Sequence, residues 1–219
     1  MDNSNSNIYL PVSLGEAIDK LTILDIKLQK INDSRRLDVK NEYDLLHTKL
    51  EIFVSKYSDL YQTMKRVNIL IWDMMDFLRD ESLPEDEYLR VCKECIEFND
   101  IRFRVKNKIN YASNSELREQ KGYRINIIVI DIADSVIDAT EFIRPIKYFS
   151  FIYDEIVIVS NNEQLKSEFS YDPTIIFLNK NDTDQVVHKN MFVFKDEIYS
   201  RSEIYGIFRL NGEILSKFL

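Results

Sequence analysis

The sequence predicts an α+β chain in two parts: a long antiparallel helical hairpin or bundle, then a small α/β domain with a mostly parallel, Rossmann-like sheet. Between Gly15 and Pro84 there is neither glycine nor proline, and apolar residues recur at steps of three and four, the period of an amphipathic helix. After residue 124 the pattern changes to β-branched runs, the first being Ile125-Asn126-Ile127-Ile128-Val129-Ile130. Near-continuous apolar strands of this kind belong in parallel sheets covered on both faces. The expected organisation is a polar tail over 1–12, a helical domain over 13–110, a linker over 111–124 and an α/β domain over 125–219.

The first helix is expected from about Ser13 to Ile31. Ser13 has the chemistry of an N-cap, with Glu16 at the capping-box position. Leu14, Leu21 and Leu28 fall seven apart with Ile18, Leu24 and Ile31 between them, a coiled-coil-like seam. Asn32-Asp33-Ser34 reads as a turn. A second helix then spans Arg35 to Asp80, about 65 to 70 Å if unbroken, or shorter with a break near Ser55 to Asp59. Pro84 starts a third helix that runs to about Asn110, and the three are expected to pack antiparallel in pairs. In the second half, strands are expected at Ile125–Ile130, Ile156–Val159, Thr174–Leu178 and Met191–Phe194. Helical stretches at Ala133–Phe151, with Pro145 as a kink, and at Glu163–Phe169 give β-α-β-α-β order. Ser202–Leu219 fits a helix by its apolar spacing and a hairpin by Asn211-Gly212.

Composition narrows the function classes. The formal net charge is −8 with basic residues scattered along the chain, so nucleic-acid binding is disfavoured. No apolar run reaches the length of a membrane span and the start lacks a signal-peptide pattern. The two cysteines, Cys92 and Cys95, have only the remote His47 and His188 as further soft ligands, and read as reduced thiols of a cytoplasmic protein.

Three polar stripes stand out at helical spacing. Glu16, Lys20 and Lys27 share one; Asn68, Trp72 and Arg79 share another, with Asp76 beside it; Asn99 and Lys106 share a third with Asn110, flanked by Arg102. Converging, they would place Lys20, Lys27, Arg79, Arg102 and Lys106 around a phosphate- or carboxylate-bearing ligand. The same residues also fit a solvated helix face, or a scaffold in which Glu16, Asp19, Asp76 and Asp100 meet the cations in direct ion pairs. Trp72 is expected to be largely buried, close to Arg79 or Lys106. Ile23 and Ile26 lie away from the leucine seam, which one hairpin does not cover, so a homo-oligomer through the helical domain, most simply a dimer, is expected.

The string Ser13-Leu14-Gly15-Glu16-Ala17-Ile18-Asp19-Lys20-Leu21-Thr22-Ile23-Leu24-Asp25-Ile26-Lys27 carries a resemblance, continued by Glu42-Tyr43, Asn68, Leu70-Ile71-Trp72, Asp76, Arg79, Asn99-Asp100, Arg102, Lys106 and Ile109-Asn110. Together they resemble an uncharacterised helical domain family of bacteria and large DNA viruses, found alone or beside glycosyltransferase-type modules. The similarity covers roughly Val12 to Asn110. It departs from the pattern at Met75, where an acidic residue is expected before Asp76. The resemblance implies an association with glycan synthesis and no particular reaction.

In the α/β half, ligands are expected beyond the carboxyl ends of the strands. Those ends read Asp131-Ile132-Ala133-Asp134-Ser135, Ser160-Asn161-Asn162 and Asn179-Lys180-Asn181-Asp182-Thr183-Asp184. No Gly-rich phosphate loop follows any strand, which excludes a dinucleotide or P-loop motif. Asp182 and Asp184 resemble the acid pair with which nucleotide-sugar transferases hold Mg²⁺ or Mn²⁺ against a diphosphate; loop chemistry explains them as well. The expected function is therefore an accessory or assembly protein of cell-surface or viral polysaccharide biosynthesis that binds an anionic small molecule. The alternatives are a small nucleotide-sugar-dependent glycosyltransferase-like enzyme and a structural helical assembly protein.

Overall fold

The computed structural model describes residues 8–122, 125–132, 140–179 and 191–194. The predicted acid pair Asp182 and Asp184, the Ser202–Leu219 segment and the start of the predicted 133–151 helix lie outside the described residues. The helical part comprises α1 (Leu14–Lys30), α2 (Arg35–Lys56), α3 (Ser58–Phe77) and α4 (Glu85–Ala112). It is followed by β1 (Ile127–Asp131), α5 (Thr140–Ile152), β2 (Glu155–Val159), α6 (Glu163–Glu168), β3 (Ile175–Leu178) and β4 (Met191–Phe194). This is an α+β architecture. No helix among the described residues is long and apolar enough to cross a membrane.

The second predicted helix is divided at Tyr57, a single residue with φ −115° and ψ 39°. Tyr57 still closes one helix and opens the next, its N–H donating to Phe53 O and its carbonyl accepting from Tyr61 N, both at 2.9 Å. No glycine or proline marks the place; the Tyr57 hydroxyl donates to the Ala112 carbonyl at the end of α4. The division lets α2 lie on α1 while α3 packs between α1 and α4.

Helix α1 is the centre of the helical part, in contact with α2, α3 and α4. Ser13 caps it by accepting from Glu16 N, although the Glu16 carboxylate turns to another partner. Ile18, Leu21, Met64, Val67, Phe98, Val105 and Ile109 are fully enclosed in a core shared by α1, α3 and α4. Ile26 is buried too. The second apolar side of α1, which motivated the expectation of a dimer, is thus covered within the chain, and Ile23 is half-buried.

The sheet is parallel throughout, in the order β3-β2-β1-β4. Alternation of side chains divides its residues by type. Ile128, Ile130, Ile156 and Ile158 pack with Ile146 and Phe149 of α5 and with Leu165 and Phe169. Val129, Val157 and Val159 form a separate buried cluster.

Candidate functional site

The polar residues of α1, α3 and α4 converge on one buried locus. Gly15 makes the approach possible: its N–H donates to Asn110 Oδ1 at 2.7 Å, and a Cβ there would overlap the Lys106 carbonyl oxygen. Helices α1 and α4 consequently run antiparallel, with Glu16 opposite Lys106 and Asp19 opposite Arg102. Arg102 grips Asp19 with both arms, Nε to Oδ1 at 2.8 Å and the terminal nitrogen to Oδ2 at 2.5 Å. Asn68 of α3 donates to Asp19 Oδ1 at 2.9 Å and to Thr22 Oγ1 at 2.8 Å. The Thr22 hydroxyl in turn donates to the Asp19 carbonyl.

Lys106 lies between two carboxylates, Glu16 at 2.6 Å and Glu119 from the segment after α4. Burial pushes its ammonium pKa down, but Glu119 and Glu16 outweigh that and hold it above the ordinary lysine value. The hydrogen bonds that Arg102 donates to Asp19 likewise raise its pKa against the opposing effect of burial. Both cations stay charged, and each is satisfied by protein carboxylates.

Alternate cations of α4 serve different partners. Arg102 and Lys106 face α1, whereas Arg104 and Lys108, also one turn apart, face the sheet half. Arg104 donates to Asp154 Oδ1 at 2.8 Å and to the Phe151 carbonyl at 3.3 Å. Lys108 donates to Asp172 at 2.5 Å and stands 5.2 Å from the Phe151 ring centre. Asp154 precedes β2 and accepts from Asn126 N, which precedes β1; Asp172 precedes β3 and accepts from Thr174. Burial lowers the Lys108 pKa, opposed by Asp172. Two small cavities, about 230 and 320 Å³, flank this junction, and Lys108, Tyr111 and Ser150 line both.

The helical part therefore docks at the amino ends of the strands. The carboxyl ends of β1, β2 and β3 lie at the opposite edge, at Asp131, Ser160 and Asn179. Ser160 is buried and its hydroxyl accepts from Asn162 N. Asn162 caps α6 by accepting from Gln164 N and Leu165 N.

Of the residues singled out in the sequence, Glu16, Arg102 and Lys106 come together. Lys20 is exposed and pairs with Glu42 of α2 at 2.7 Å. Lys27 is half-buried on α1. Asp76 and Arg79 pair with each other at 3.0 Å, both well exposed. Arg79 and Asn99 line an open cleft of about 840 Å³ between α3 and α4, with Met75, Tyr88, Cys92 and Cys95. Trp72 is half-buried rather than largely buried, because the enclosed side of α3 is the Tyr61, Met64, Val67 and Asn68 side. Asp100, the fourth acid, pairs with Lys121 at 2.7 Å. The sequence reading missed Arg104 and Lys108; their one-turn spacing was visible, but not that a second body would face them.

The class these features define is a helical unit pinned by a buried ion network and docked on the amino ends of a small parallel sheet. A family model described as a family of unknown function, DUF6165, matches residues 8–136. The chain belongs to that family. The matched region takes in α1 to α4 and β1, so it includes the whole ion network and continues into the sheet. No curated protein and no solved structure matches the chain.

Proposed function

We propose that the chain is an accessory binding protein of glycan biosynthesis. In this reading the α/β half takes a nucleotide sugar beyond the carboxyl ends of its strands, and the helical unit supports that half and mediates self-association. The observation that carries the reading is the direction of docking. Arg104 and Lys108 close the amino ends of the strands through Asp154 and Asp172 and leave the carboxyl ends clear of the helical unit. In open parallel sheets ligands bind at those ends, where the strand order reverses. In the order β3-β2-β1-β4 the reversal falls beside β1, a Rossmann-like arrangement, and Asp131 ends that strand with a carboxylate suited to accept from sugar hydroxyls.

The glycan association rests on the motif resemblance, whose members occur in bacteria and large DNA viruses, alone or beside glycosyltransferase-type modules. An anionic ligand within the helical unit is the weaker reading, because Lys20, Arg79, Arg102 and Lys106 each face a carboxylate of the chain itself.

The test is thermal shift and calorimetry of the full chain with nucleoside diphosphate sugars, with and without Mg²⁺ or Mn²⁺. A binder raises the apparent stability by mass action, by about 2.7 kcal/mol at a hundredfold excess over its Kd. Asp131→Asn is expected to weaken binding, whereas Lys20→Gln and Arg79→Gln leave it unchanged. No shift with any sugar refutes the reading. A shift abolished by Arg79→Gln moves the site to the helical unit, and metal-dependent turnover of the sugar makes the chain a transferase.

A further inference from the structure

Helix α2 carries two apolar faces on opposite sides. Tyr43, Leu46, Leu50 and Val54 pack into the helical core. About 170° around the helix, at 100° per residue, Leu37, Leu45 and Ile52 form a second stripe with Asn41 and Thr48. These three are 66%, 55% and 79% exposed, and Phe53 at the edge of the stripe is also exposed. A helix apolar on both sides buries one face within the chain and leaves the other for a partner.

We infer that this outer face of α2 is an isologous interface with a second copy of the chain. The inference rests on the reading of the helical unit as the part that self-associates. The charges beside the stripe identify the partner. Lys49 and Glu42 lie along one flank, Lys40 and Glu51 along the other. When two copies of α2 pack antiparallel about a two-fold axis between Leu45 and Leu46, residue i of one helix lies opposite residue 91 − i of the other. Lys49 then meets Glu42 of the second copy, which also holds Lys20 of its own chain, and Lys40, paired within its chain with Asp44, meets Glu51 of the second copy. Because the arrangement is two-fold, each pair occurs twice. Leu45 lies beside its own counterpart across the axis, one residue out of register, and Leu37 falls against the Ile52 and Phe53 end of the second helix.

In parallel two-fold packing opposite flanks meet instead, with Glu42 near Lys40 and Lys49 near Glu51 of the second copy, so it is the exchange of Lys40 and Glu51 that separates the two orientations. The helix is suited to self-contact in another way. It holds five basic and four acidic residues, whereas the chain as a whole carries a net charge of −8. Two copies therefore meet through the part of the surface that repels least. Tyr9, its ring 5.2 Å from the Lys49 ammonium, places the exposed apolar residues Ile8 and Leu10 next to the same flank.

The experiment is light scattering and sedimentation of the full chain at micromolar concentration. Wild type is expected at twice the monomer mass. Leu45→Glu is expected to weaken the dimer by about tenfold or more while the helical circular dichroism is unchanged, since Leu45 is an exposed residue. Lys40→Glu and Glu51→Lys are each expected to weaken it, and their combination to restore it. That restoration is a signature a misfolded variant does not give. A wild-type dimer indifferent to Leu45→Glu and to the charge exchange refutes this face and leaves self-association standing through another. A monomeric wild type overturns both.

Discussion

Removing the Asp19 carboxylate tests whether the buried network holds the helical unit together. Asp19 is 2% exposed and supplies both oxygens to Arg102 and one to Asn68. In Asp19→Ala the guanidinium loses its counter-charge and Asn68 keeps only Thr22. Breaking a fully buried pair costs about 3 to 5 kcal/mol. The Arg102 side chain is 26% exposed, so water recovers part of that, and roughly 2 to 4 kcal/mol is expected. At about 2 to 4 °C per kcal/mol for a chain of this size, Tm should fall by roughly 4 to 16 °C. Arg79→Gln is the control: its pair with Asp76 is 67% and 61% exposed, and a change within about 0.5 kcal/mol is expected. The assay is denaturant and thermal unfolding of Asp19→Ala, Arg102→Met and the double variant. A pairwise coupling no larger than that of the exposed pair would refute the argument that burial makes Asp19 and Arg102 structural.

Two further outcomes follow from the same geometry. Gly15→Ala should lower Tm, because overpacking against the Lys106 carbonyl and Asn110 costs about 1 to 3 kcal/mol and outweighs the gain of about 1 kcal/mol in helix propensity; a raised Tm would mean that α1 and α4 are not in close contact there. At Asp172 burial pushes the carboxyl pKa up, but the Lys108 ammonium and the Thr174 donors hold it below the ordinary 3.8. A carboxylate with a depressed folded pKa contributes stability that is present above its unfolded value and lost as pH falls through the folded one. Acid titration of Tm below about pH 4 should therefore be steeper for wild type than for Asp172→Asn, and parallel curves would show that Lys108 and Asp172 are not coupled.

The four acids Glu16, Asp19, Asp76 and Asp100 each meet a cation directly, as the scaffold alternative of the sequence reading required. Two of these pairs, Asp76–Arg79 at the C-terminal end of α3 and Asp100 of α4 with Lys121 of the segment after it, join no shared locus. The other two do, because Gly15 brings α1 onto α4. The stripes were legible as stripes, since helical period is a local property of the chain. Their convergence depended on which helices touch, and that is decided by packing.

The helices, the strands and their parallel character were written in apolar spacing, in β-branched runs and in the positions of glycine and proline, all readable within a few residues. Tertiary structure alone decided three things. Of the unbroken helix and the helix broken near Ser55 to Asp59 that the pattern allowed, it chose the broken one, dividing α2 from α3 at Tyr57, where the two stretches serve different partners. It covered the second apolar side of α1 at Ile26. It sent Arg102 and Lys106 to α1 but Arg104 and Lys108 to the sheet. Residues two apart on a helix point about 200° apart at 100° per residue, so the sequence assigns them to opposite faces. Which body lies against each face is settled by the whole chain folding at once.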